Sequence, residues 1–148
     1  MLKIYSPDCE LVKTIRRDEG IVLGATHIQE MNQYVISSSD LQLSFYDELS
    51  YREVKSMHTP SSQMCLTWSA GTKSLYTAGV SGVIYAWDAE RMEERHHMGG
   101  PGKDGRLCRD SHEDMVLDLL EIRSLESLAS GSMDKTIRLW DMNTGKAR

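Results

Sequence analysis

The sequence predicts an all-β chain assembled from repeated four-stranded antiparallel sheets. Three observations predict it: an aromatic residue that recurs at a near-constant spacing, a strand-like segment around each aromatic, and a second such segment at a fixed distance before it. The aromatics are Tyr5, Tyr46, Trp87 and Trp140, separated by 41, 41 and 53 residues. Self-similarity at a period of roughly 20–50 residues marks a repeat architecture. No segment carries the 3.6-residue apolar period of a helix.

The elements follow in order. Segments 2–6, 43–47, 84–88 and 137–141 contain the aromatics. In the last of them Ile137 and Leu139 fall on one face and Arg138 and Trp140 on the other, the alternation of a strand. Segments 34–40, 75–81 and 128–134 precede three of these, each ending in a small polar residue six positions before the aromatic. Strand, tight turn and strand make a hairpin. Upstream, 21–23, 64–66 and 115–117 read as innermost strands. Downstream, 10–15, 51–55 and 94–98 read as outermost strands.

The expected organisation is a β-propeller of four-stranded blades, about three and a half of them. It has two strands of a blade over 1–16, blades over 17–57 and 58–98, an inter-blade loop over 99–110, and a blade over 111–148 lacking most of its outer strand. Propellers close at about 4–8 blades. An open arc exposes an apolar face at each end, so the rest of the ring is expected from the same chain or, as the minor alternative, from a second copy.

Composition narrows the function classes. The 148 residues carry a formal net charge of -5, with 40% apolar and 26% charged residues, ordinary for a globular domain. The acidic balance speaks against sequence-independent phosphate binding, so no nucleic-acid partner is expected. No run approaches the ~20 apolar residues of a membrane span, and no membrane partner is expected. Cys9, Cys65 and Cys108 are far apart and odd in number, which reads as reduced thiols in an intracellular protein. His96, His97, Cys108 and His112 lack zinc spacing, and adjacent strand residues such as His96 and His97 point to opposite faces. The segment 99–105 is glycine-rich but lacks the phosphate-loop spacing. No metal or cofactor is expected.

Residues 111–146, including the run Leu128-Ala-Ser-Gly-Ser-Met-Asp-Lys-Thr-Ile-Arg-Leu-Trp-Asp141, closely resemble a WD repeat, and the rest of the chain resembles that family more loosely. The resemblance implies a hydrogen-bonded structural set of His112, Ser130, Asp134 and Trp140. A buried indole N–H needs an acceptor, and a serine hydroxyl provides one. Partial sets follow at His58, Thr77 and Trp87, with Ser81 in the aspartate position, and at Asp40 and Tyr46, with Ile36 where the hydroxyl belongs and Asp18 or Glu19 near the histidine position. His112, Ser130 and Asp134 share their residue types with a hydrolase triad, but a hydroxyl of this kind faces blade packing rather than substrate. No enzyme is expected.

What the resemblance implies is a non-catalytic scaffold or adaptor within a larger assembly. The alternative is a reader of peptides or modified residues through the propeller channel. A reader of methylated lysine needs an aromatic cage, and no loop is aromatic-rich. Candidate partner-binding residues are Lys103, Arg106 and Arg109 in the long loop and Met133, Val80 and Ser39 on the hairpin turns. The loop is expected on the same face as those turns, because successive strands reverse direction. A softer likeness, in 43–47, 116–120 and the turn 132–135, is similar to WD-repeat proteins of the ciliary axoneme and implies a cytoplasmic, cytoskeletal or ciliary place. No EF-hand loop accompanies it.

Overall fold

The computed structural model describes residues 1–17, 19–101 and 108–148. Among them are thirteen strands in four antiparallel sheets and two single turns of 3₁₀-helix. The first sheet pairs β1 (Leu2–Tyr5) with β2 (Leu11–Ile15). The second runs β3 (Val22–Ile28), β4 (Gln33–Ser38), β5 (Gln42–Asp47), β6 (Glu53–His58). The third runs β7 (Gln63–Ser69), β8 (Ser74–Gly79), β9 (Ile84–Asp88), β10 (Glu93–Met98). The fourth holds β11 (Val116–Ile122), β12 (Ser127–Ser132) and β13 (Ile137–Asp141), and a bridge from Trp140 to Ala147 begins a further pairing on its outer edge. His58 closes β6, opposite Gln42 of β5, and so belongs to the second sheet rather than opening the third.

The second and third sheets bury both faces, because their strands carry apolar residues on both sides and a sheet packs against each. On β9, Tyr85 and Trp87 pack back against Val35, Leu43 and Phe45 of the second sheet, while Ile84 and Ala86 pack forward against Val116, Leu119, Leu128 and Trp140 of the fourth. Leu2, Ile4 and Ile15 of the first sheet meet Ile36 and Tyr46 of the second. Close-packed layers of this kind are the stabilising contact, at about 25 cal/mol per Å² of apolar area removed from water. Neighbouring innermost strands β3, β7 and β11 adjoin. At Gly24 a Cβ would stand 2.6 Å from Leu66 Cδ1 and 2.9 Å from the Met64 carbonyl oxygen, so only glycine allows that approach.

The repeat is visible in the backbone as well. Each first-to-second-strand turn ends in a left-handed residue, Asn32, Lys73 or Glu126. Each second-to-third-strand turn has one too, at Leu41, Gly82 and Lys135, and so does each third-to-fourth-strand turn, at Cys9, Tyr51, Met92 and Gly145. No helix among the described residues is long and apolar enough to cross a membrane.

Candidate functional site

The upper face of the arc carries the second-to-third-strand turns. Its three turns are tied alike to the chain that leads into each innermost strand. The amide of Ser39 donates to the Ile21 carbonyl at 2.9 Å, that of Val80 to Ser62 at 3.1 Å and that of Met133 to Met115 at 2.9 Å. These bonds bring Ser39, Val80 and Met133 to equivalent positions on one face, all three exposed. The long link between the third and fourth sheets starts and ends on the same face. The Cys108 amide and the Ser111 hydroxyl both donate to the Gly100 carbonyl, at 3.0 and 3.2 Å. Gly82, with φ +71°, lies so close to the link that a Cβ would be 2.7 Å from the His112 carbonyl oxygen. Arg109 is exposed at the end of the link, whereas Lys103 and Arg106 lie outside the described residues.

Beneath this face, directional hydrogen-bond chains fix the turns. In the fourth sheet Trp140 Nε1–H donates to Ser130 Oγ at 2.8 Å, Ser130 donates to His112 Nε2 at 2.7 Å, and His112 Nδ1–H donates to Asp134 Oδ2 at 2.8 Å. Trp140, Ser130 and His112 are buried. Burial pushes the Asp134 carboxyl up, but hydrogen bonds from Thr136, His112 and the Glu113 amide outweigh it and hold the group well below the usual carboxylate range. The structure therefore joins all four residues singled out by the resemblance. The Ser130 hydroxyl is buried in sheet packing, bonded on both sides to Trp140 and His112.

The third sheet corrects the expected set. His58 is exposed and takes no part. Trp87 Nε1–H donates to Thr77 Oγ1 at 2.8 Å and Thr77 donates to Gln63 Oε1 at 2.8 Å. Gln63 Nε2–H then donates to the Ser61 carbonyl at 2.6 Å, and Ser61 Oγ bonds Ser81 Oγ at 3.1 Å. A neutral amide rising from the innermost strand thus replaces an imidazole from the preceding link. An amide both accepts and donates, so it passes the chain on without a charge. The spacing pointed to His58, and nothing in the sequence marks Gln63 as its substitute.

The second sheet departs further. Asp40 and Tyr46 do not share a chain: Tyr46 Oη donates to Glu53 Oε2 at 3.1 Å, while Asp40 accepts from Arg17 at 3.1 Å and from the Ser38 hydroxyl. Arg17 also donates to Ser44 and Gln42. It takes the place expected for an acidic residue; Glu19 is exposed and meets Arg17 only through its carbonyl, and Asp18 lies outside the described residues. Burial pushes the Asp40 carboxyl up, and bonds from Ser38 and Arg17 bring it below its ordinary value.

The aspartate after Tyr46, Trp87 and Trp140 was not singled out from the sequence, and the structure gives it a job. Asp47 Oδ1 accepts from the Ser50 amide, Asp88 Oδ1 from the Glu90 and Arg91 amides, and Asp141 Oδ1 from the Asn143 and Thr144 amides. Each closes a third-to-fourth-strand turn on the lower face. In two sheets an arginine of the outer edge holds the second oxygen, Arg95 to Asp88 at 2.8 Å and Arg148 to Asp141 at 2.6 Å. Its recurrence one residue past the aromatic was the available signal. Cys65 is buried, which pushes its thiol up to about 12. His97 meets Glu94 while His96 is half-buried, and no metal-holding cluster of His, Cys, Asp or Glu occurs among the described residues.

Comparison with known proteins agrees with this geometry. Residues 109–141 match the family model for the WD domain, G-beta repeat. The chain is similar to the Periodic tryptophan protein 1 homolog of Drosophila melanogaster, 32% identical over 99 residues, covering 59% of this chain and 22% of that protein. It is also similar to Cilia- and flagella-associated protein 337 B of Tetrahymena thermophila, 27% identical over 88 residues, covering 57% of this chain and 6% of that protein. The chain thus spans under a quarter of either relative. Among solved structures, the WD40 repeats of RRP9 and the structure of U3-55K each superpose with a TM-score of 0.74 at 17% identity, over 90% of this chain and 39% of theirs. At that identity the likeness shows the fold.

Proposed function

From the WD40-repeat propeller fold of this chain, we propose that it is a protein-interaction scaffold whose upper face binds a partner inside a multi-subunit assembly. WD40 propellers are in general non-catalytic interaction domains. The observation that carries the reading is the upper face itself. Val80 and Met133 are exposed apolar tips, and Ser39 stands at the equivalent turn. All three are held by identical backbone bonds over buried networks. Rigid scaffolds presenting exposed turns are where binding residues concentrate, and a turn whose backbone is already fixed loses little backbone entropy on binding. Of the candidates in the link between the third and fourth sheets, Arg109 is exposed beside this face, and Lys103 and Arg106 lie outside the described residues.

An intracellular place follows from this reading, and a ciliary one is its finer version, supported by the Tetrahymena relative. The Drosophila relative's name points to no cilium. The test is affinity purification of the intact protein carrying Val80→Glu and Met133→Glu. The variant keeps its unfolding midpoint and loses at least one stoichiometric partner. An unchanged set of partners would overturn the assignment of this face.

A further inference from the structure

We propose that the lower rim of the second sheet takes an arginine side chain from a partner protein, held by the Asp47 carboxylate and the Met31 carbonyl, where the next two sheets hold an arginine of their own. This rests on the scaffold reading and adds a contact on the face opposite the upper turns.

The third and fourth sheets show the pattern. Arg95 Nη2–H donates to Asp88 Oδ2 at 2.8 Å and its Nη1–H to the Thr72 carbonyl at 3.1 Å. Arg148 Nη2–H donates to Asp141 Oδ2 at 2.6 Å and its Nη1–H to the Leu125 carbonyl at 2.9 Å. In each sheet one guanidinium ties the third-to-fourth-strand turn to the first-to-second-strand turn, with the same nitrogen on the same kind of oxygen. A rigid planar fork of donors suits that span.

The second sheet keeps the acceptors without the donor. Asp47 stands where Asp88 and Asp141 stand, and Met31 precedes the left-handed Asn32 as Thr72 and Leu125 precede Lys73 and Glu126. The arginine belongs at the bulge of the outer strand, which is Arg95 in β10 and Val54 in β6. Val54 is 52% exposed and its side chain donates nothing. A second donor is replaced as well. The Ser74 and Ser127 hydroxyls donate to the Thr72 and Leu125 carbonyls at 3.2 and 2.9 Å, and their place, opposite the turn aspartate in register, is taken by Gln33. Gln33 Oε1 is buried with no partner. Asp47 Oδ1 accepts from the Ser50 amide and hydroxyl, both at 2.7 Å, and hydrogen bonds from Ser50 hold the carboxyl below its ordinary value.

The neighbouring charges leave these oxygens to a cation from outside. Among the described residues the side-chain bonds of arginine are those of Arg17, Arg95, Arg123 and Arg148, and none reaches Asp47 or Met31. Lys55, next to Val54, lies over the Phe45 ring, donates to the Ala89 carbonyl and is drawn to Glu90 and Asp88. Glu48 is paired with His27 at 3.3 Å. An acidic segment is repelled by Asp47, and an apolar one covers the oxygens of Asp47, Gln33 and Met31 without donating to them. A lysine ammonium is a point charge without the fork that spans both turns.

The test uses the intact protein labelled with nitrogen-15 glutamine, with the Gln33 side-chain resonance assigned through Gln33→Ser. The probe is a short acetylated, amidated peptide of glycines around one arginine, compared with the same peptide carrying lysine or uncharged citrulline. The arginine peptide shifts the Gln33 signal saturably, and the other two bind about fivefold or more weakly. Asp47→Asn, which keeps an oxygen for the Ser50 donors, weakens the arginine peptide by a similar factor, and Val54→Arg, which supplies the arginine of the next two sheets, abolishes its binding. No shift, equal binding of the lysine or citrulline peptide, or unchanged affinity in either variant overturns the proposal. So does tighter binding in Arg52→Gln, which would assign these acceptors to the chain's own Arg52. Partner loss through Val80→Glu and Met133→Glu is read separately, so failure of the rim site and failure of the upper-face reading are distinguishable.

Discussion

Replacing Asp134 with alanine removes the last acceptor of the chain that begins at the Trp140 indole. His112 Nδ1–H loses its 2.8 Å partner while its side chain is 0% exposed, so water does not replace the carboxylate there. A buried donor left unpaired costs about 1–3 kcal/mol. Thr136 Oγ1, 3.2 Å from the same nitrogen, offers a longer substitute and places the cost in the lower half of that range. The Glu113 and Thr136 amides also lose an acceptor, but both residues are exposed and water takes over. Ser81, at the equivalent turn of the third sheet, is exposed and contacts only Ser61 Oγ and the Val83 amide. Ser81→Ala should stay within about 0.5 kcal/mol. Urea unfolding of the intact protein followed by tryptophan fluorescence compares the two. With a slope of about 1–3 kcal/mol per molar urea, Asp134→Ala lowers the midpoint by on the order of 1 M and Ser81→Ala barely moves it. Equal shifts, or a larger one at Ser81, would refute the reasoning. The effect also has a pH signature. The folded-state value of Asp134 is depressed, so its stabilisation is complete above the unfolded value of about 3.9 and is lost as pH falls through the folded value. The gap between wild type and Asp134→Ala therefore narrows as pH drops below about 4.

Two further outcomes follow from the packing. Gln63→Leu strands the Thr77 hydroxyl and costs about 1–3 kcal/mol, whereas His58→Ala, at an exposed strand end, costs under about 0.5; the reverse order in urea melts would restore His58 to the network. Residues 1–148 expressed alone should self-associate or bind a dye for exposed apolar surface. Ile137 is 80% and Leu139 37% exposed, while Leu43, Phe45, Ile84 and Ala86 at the same positions of the preceding sheets are 0% exposed. A monodisperse, dye-silent monomer would show that this face needs no cover.

The periodicity of Tyr5, Tyr46, Trp87 and Trp140 was sufficient for the strands and their order, because a repeat writes the same alternation at a fixed interval, but not for the sheet boundary at His58, which pairs with Gln42 of the second sheet. The set His112, Ser130, Asp134 and Trp140 was legible only through the resemblance to a WD repeat, since all four residue types stand at that repeat's positions. What lay outside its reach was how an imperfect repeat repairs itself. A hydrogen-bond chain needs a group of the right polarity at a point in space, and Gln63 reaches that point from a strand while Arg17 reaches its own from a link, each at a different sequence offset from His112. The bond from the Trp68 indole to Glu30 is likewise invisible along the chain: the two residues are 38 positions apart, and only the packing of one sheet on the next brings the carboxylate to the indole.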